Sequence, residues 1–137
     1  MIEQSQGDTL VNPVDTTVTV SRSVSQPVKQ IWKLLVTREG AEALLGAGGE
    51  LGDKGDSWRA ADGTFGVIRS YHPLEQIRFS WHAAEEAPKT IVEVDLSAAE
   101  DGTNVQIRHE HIPPYFDASA LTLKWEEALE KLAAAAG

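Results

Sequence analysis

One apolar stripe near the end of the chain constrains its fold more than any other feature. Leu121, Trp125, Ala128, Leu129, Leu132 and Ala136 follow one another at i, i+4, i+7, i+8, i+11 and i+15, one face of a helix from about Ala118 to Ala136. The preceding segments alternate in short extended runs instead. A lone long helix after a succession of strands must lay its stripe on a sheet, because neither element buries its apolar face alone. The spacing therefore predicts an α+β fold: a curved antiparallel sheet of about six strands wrapped around the C-terminal helix, with a hollow between them.

The rest of the chain supplies those strands. Thr16 to Ser23 alternates, with Val18 and Val20 opposite Thr17, Thr19 and Ser21. Pro27 suits the first turn of a helix, where its missing N–H loses no bond, and Val28, Ile31, Trp32 and Leu35 give that helix one apolar face. A second short helix, Arg38 to Leu45, stops at Gly46, and the glycine-rich segment Gly46 to Gly55 is a loop. Extended runs then follow at Asp56 to Ala60, Thr64 to Tyr71, Gln76 to His82, Thr90 to Ser97 and Thr103 to Ile112. Asp62-Gly63 and Asp101-Gly102 mark hairpins, since glycine supplies the positive φ that such turns require. Pro113-Pro114 ends the last strand, and Asp117 or Ser119 is placed to cap the final helix.

At 137 residues the chain makes one domain with a proper core, read as a loose tail over 1–14 and a single domain over 15–137. With no cysteine, disulfides, thiolate metal sites and thiol nucleophiles are excluded. No signal peptide or membrane span is visible, so a cytoplasmic location is expected. The net charge of −9 repels phosphate backbones. Arg59, Arg69, Arg78 and Arg108 sit in separate segments and form no sequence cluster, so neither nucleic acid nor membrane is an expected partner.

Alternation divides each strand into an inner and an outer set. Val105, Ile107, His109 and His111 share one face of the last strand; Val92, Val94 and Leu96 oppose Glu93 and Asp95; Ile77, Phe79 and Trp81 oppose Arg78 and Ser80. For the strand from Thr64, either Phe65, Val67, Arg69 and Tyr71 or Ile68 and Ser70 face inward, and the first set holds more apolar area. The expected lining is thus Trp58, Tyr71, Phe79, Trp81, Leu121 and Trp125, with Arg69, His109 and His111 as its polar members. Aromatic walls with a few convergent polar groups describe a small-molecule pocket, and equally a plain core whose polar tips reach the surface.

His109 is the expected polar anchor, and an inward Arg69 would favour ligands with an acidic or carbonyl end. Spacing would also let His109 and His111 chelate one metal, with His72, His82 or Glu85 as a third ligand, but nothing supports that third position. No catalytic residue, metal or cofactor is assigned. The glycine-rich loop fits no phosphate-binding pattern and is expected to be either a mobile flap at the pocket mouth, with Leu51 as its cover, or simply a flexible connection. Leu123, opposite Trp125 on the last helix, is a candidate contact for a weak homodimer; otherwise the chain is a monomer.

Several of these segments, in this order, resemble the START-like helix-grip (SRPBCC) superfamily, and within it the domains homologous to the activator of the heat-shock-protein ATPase. The carriers are Val18-Thr19-Val20-Ser21-Arg22, Gln26-Pro27-Val28 with Ile31-Trp32, Gly66-Val67-Ile68, Pro73 to Trp81, Asp101-Gly102-Thr103 and Trp125 to Leu132. The resemblance implies a helix-grip fold with two short helices after the first strand, and a cavity for a hydrophobic or amphipathic small molecule. It also brings two alternatives: a protein-interaction module related to chaperone ATPase activators, and a cyclase- or hydrolase-like enzyme using a pocket histidine. Where such domains commonly carry an aromatic residue at the end of the second helix, this chain has Ala43-Leu44-Leu45-Gly46, which reshapes one wall.

Overall fold

Two antiparallel neighbours, the first strand and the last, close the architecture. The elements run β1 (Thr16–Val24), α1 (Val28–Leu35), α2 (Arg38–Leu45), β2 (Ser57–Arg59), β3 (Phe65–His72), β4 (Gln76–Trp81), β5 (Thr90–Ala99), β6 (Gly102–Ile112) and α3 (Ala118–Ala136). They are those of a computed structural model that describes residues 16–136; the expected tail over 1–14 lies outside the described residues. The six strands form one curved sheet in the order β1-β6-β5-β4-β3-β2, every pair antiparallel. Its concave side receives α3, whose Leu121, Trp125, Ala128, Leu129 and Leu132 are buried as the stripe requires, while α1 and α2 bridge β1 to β2. This is the helix-grip fold.

Local chemistry explains the boundaries. Thr37 caps α2, its hydroxyl accepting from the Gly40 amide at 3.4 Å. The Asp117 carboxylate accepts from the Ala120 amide at 3.1 Å and so starts α3. In the first hairpin, Asp62 Oδ1 accepts from the Thr64 amide and hydroxyl at 3.0 and 2.7 Å, and Gly63 takes φ 96°. Trp58 lies across Gly66, its strand partner, to donate from Nε1 to the Ser80 carbonyl at 3.2 Å.

Two bulges break the strict alternation, and both correct the expected faces. In β3, Ile68 pairs with Phe79 but Ser70 with Arg78, so Arg69 is an inserted residue. Parity therefore changes within the strand. Gly66 and Ile68 are buried before the bulge and Tyr71 turns partly inward after it, while Val67 and Arg69 are exposed. In β6, Val18 pairs with His109 but Thr16 with Ile112, leaving Glu110 and His111 opposite the single residue Thr17. His111 takes φ 64°, a left-handed conformation that histidine tolerates better than most residues. His109 and Ile112 are buried and His111 is exposed. The expected inward Arg69 and the expected His109–His111 pair on one face are each overturned by one extra residue in their own strand.

Gly66 is the tightest point of the sheet. A Cβ there would run into the Ser80 carbonyl oxygen and lie 2.8 Å from Trp58 Nε1. Gly66→Ala is expected to lower unfolding free energy by about 2–3 kcal/mol through overpacking, measured by urea denaturation; an unchanged midpoint would contradict this account of β2–β3 packing.

Candidate functional site

Most of the expected lining meets in the interior between the sheet and α3. Trp58, Phe79, Trp81, His109, Leu121 and Trp125 are all buried. Their rings touch edge to face: Trp58 on Phe79 at 5.6 Å, Trp81 on His109 at 4.8 Å, Trp81 on Trp125 at 6.1 Å and His109 on Trp125 at 5.7 Å, an arrangement that the ring quadrupoles favour. Tyr71 stands at the margin, half-buried against Trp32 of α1 at 5.2 Å. Burial pushes its phenol pKa up, with the charge of Asp53 adding to the effect.

His109 is the polar centre of this group, and both its nitrogens are committed. The Trp125 indole can only donate, so its 3.0 Å contact makes His109 Nδ1 the acceptor. Nε2 then carries the proton and donates to Thr90 Oγ1 at 2.7 Å, and the Thr90 hydroxyl donates to the Trp81 carbonyl at 2.7 Å. One continuous relay joins α3, β6, β5 and β4 with no polar atom left over. Burial pushes the His109 pKa down to about 4, helped by the cation of Lys124. Lys124 Nζ sits 5.5 Å above the Trp125 ring and 5.9 Å above Trp81, and 3.7 Å from Asp62.

This wiring bears on every role expected of His109. A neutral imidazole that already accepts from Trp125 and donates to Thr90 has no free position for a ligand or a metal. Its depressed pKa also keeps it out of the imidazolium form near neutrality, so the one proton it holds is the one bonded to Thr90. Among the described residues, no three His, Cys, Asp or Glu side chains group closely enough to hold a metal ion, and the bulge at His111 removes the second chelating ring. Arg69 and His111 lie on the convex side of the sheet, away from this interior.

Sequence reasoning missed Thr90, fully buried in the relay, although counting back by two from Val92 reaches it. It also missed Trp32, whose place on the α1 stripe did not reveal its ring contact with Tyr71. Leu51 is buried at 8% exposure, so the glycine-rich loop is held down by its apolar residue. That loop is further tied by the Gly48 amide to Glu42 Oε2 at 2.7 Å and by the Gly55 amide to the Ile68 carbonyl at 2.8 Å.

The relay predicts a pH dependence. A histidine whose folded pKa lies near 4, against about 6.5 unfolded, is neutral in the fold. Its contribution is fully present above about pH 6.5 and is lost as pH falls toward 4, a change on the order of 3 kcal/mol. The His109 ring resonances should remain those of the neutral Nε2-protonated tautomer down to about pH 5 in an NMR titration; titration near 6.5 would contradict the burial. Trp125→Phe, which orphans Nδ1, should cost about 1–3 kcal/mol by chemical denaturation at pH 7.

Comparisons with known proteins agree with this fold. A protein from Mesorhizobium loti superposes with a TM-score of 0.76 at 19% identity, covering 87% of this chain and 95% of its own. CalU16 from Micromonospora echinospora gives 0.74 at 21%, covering 88% and 76%. The Aha1 dimer from Colwellia psychrerythraea gives 0.72 at 19%, covering 88% and 95%. At such identities the likeness is one of fold alone. Among curated proteins none matches the sequence. No helix among the described residues is long and apolar enough to cross a membrane. Family and fold together support a ligand-binding or interaction module in general terms. The family described as activator of Hsp90 ATPase homolog 1-like protein matches residues 22–137, and the chain belongs to it.

Proposed function

We propose that the chain is a cytoplasmic, non-enzymatic module that binds a hydrophobic or amphipathic small molecule against the concave face of its sheet. The observation that carries this reading is the contrast between the two ends of that face. Around His109 the relay locks Trp81, Thr90 and Trp125 together. At the other end, Trp58 packs on Phe79 and Tyr71 on Trp32 of α1 through apolar ring contacts alone, next to a loop with five glycines in ten residues that buries Leu51. The loop runs beside β3, since the Gly55 amide donates to the Ile68 carbonyl and the Asp56 carbonyl accepts from the Ile68 amide. Withdrawal of Leu51 exposes aromatic wall there without breaking the relay. A ligand takes the volume that the leucine leaves and is held by apolar contact.

A second reading, an interaction module or weak homodimer, is favoured by Leu123, a leucine 57% exposed on α3 beside a cleft shared with Ser21 and Arg22 of β1. Solution mass by light scattering over a range of concentrations separates the two readings.

The first is tested with whatever compound co-purifies with the protein from its own host, identified by native mass spectrometry. Its rebinding should change tryptophan emission, because Trp32 and Trp58 flank the proposed place. Leu51→Ala should speed uptake while lowering the stability of the empty protein by about 2–3 kcal/mol. Rebinding that leaves the emission untouched, with the same rate in both proteins, would overturn the proposal.

A further inference from the structure

Both bulges send their inserted residue to the same place. On the convex side of the sheet, Arg69 of the β3 bulge and His111 of the β6 bulge line one cleft with Ser70, Arg78, Lys89 and Ile91. Its volume is about 480 Å³. The residues come from β3, β4, β5 and β6 and from the turn before β5, so the cleft spans four adjacent strands. Bulges recur where a sheet must re-aim a side chain, and here two of them supply opposite walls of one depression.

The charge of this cleft runs against that of the chain. Beside it stands a four-member network: Arg78 lies 3.8 Å from Glu93 and 3.6 Å from Glu110, and Arg108 lies 3.9 Å from Glu93 and 3.7 Å from Glu110. Two guanidinium groups meet two carboxylates there, and the Asp95 carboxyl, which also accepts from Gln76, adjoins Glu93 on the same strand. Arg69 and Lys89 have no ion-pair partner among the described residues, so they are excess charge, in a protein whose net charge is −9. Arg78 adds a further feature: its Nε is enclosed and makes no hydrogen bond. The Ser70 hydroxyl is a further donor at the wall, and half-buried Ile91 provides an apolar surface.

We infer that this convex-face cleft is a binding site for a small dianion, a phosphate monoester or a dicarboxylate, held between Arg69 and Lys89. Two uncompensated cations match two negative charges, and the guanidinium group offers paired N–H donors to paired anionic oxygens. The carbon part of such a ligand rests on Ile91. The network below holds Arg78 in place and adds no excess positive charge to the floor, so the excess cations lie at the walls. This site is independent of the concave-face reading, from which the sheet itself separates it.

Titration of the labelled protein by amide NMR at low ionic strength, with inorganic phosphate in one arm and succinate in the other, tests the inference. Saturable shifts are expected at Ser70, Ile91 and His111, with tryptophan emission unchanged. Arg69→Gln combined with Lys89→Gln should weaken binding by about tenfold or more, while Lys54→Gln with Lys131→Gln, two cations outside the cleft, should leave it intact. The stronger arm identifies the acid group of the ligand. Absence of saturable shifts in both arms, or equal weakening by both pairs of substitutions, would overturn the site.

Discussion

The hydrogen bond from the Trp125 indole to His109 is the contact on which the rest of the molecule depends. Apolar burial alone would hold α3 against the sheet without fixing its rotation, because one apolar stripe slides over another at little cost. A buried imidazole with one acceptor nitrogen and one donor nitrogen permits fewer arrangements, since any shift leaves a polar atom unpaired. Trp125 satisfies one side at 3.0 Å and Thr90 the other at 2.7 Å. Helix and strands are thereby registered through a single residue, and the edge-to-face rings around it follow from that placement.

Much of this architecture is legible in the sequence because it follows from local rules. The α3 stripe, the stop at Gly46, the Asp-Gly hairpins and the Asp117 cap each rest on a few adjacent residues, and the structure reproduces them. The inner faces of β4 and β5 are legible for the same reason, as Ile77, Phe79, Trp81, Val92, Val94 and Leu96 are all buried, although Ser80 on the other face of β4 is buried too. Alternation fails in β3 and at the end of β6. Arg69 and His111 look inward only if the period of two is unbroken. A single inserted residue, visible only in the pairing with a neighbouring strand, turns each to the other side.

The same reasoning separates what was readable at the candidate sites. That Trp58, Phe79, Trp81 and Trp125 would be buried together follows from pattern. That His109 would spend both nitrogens on the protein does not, since this depends on Thr90 and Trp125 arriving from different elements. The convex cleft is further from view still. Its cations are separated along the chain and become neighbours only through the β3-β4-β5-β6 order. The sheet thus divides two kinds of chemistry: a neutral, aromatic concave side with its polar groups internally satisfied, and a charged convex side where two cations are not.

The claim at the centre of this account is that His109 and Trp125 lock α3 to the sheet, and hydrogen exchange of the Trp125 indole proton measures it directly. Buried at 1% exposure and bonded to His109, that proton should exchange only through global unfolding, with a protection free energy equal to the unfolding free energy from denaturation. Exchange through a local opening, several kcal/mol easier than unfolding, would show that the helix lifts from the sheet by itself and would contradict the account.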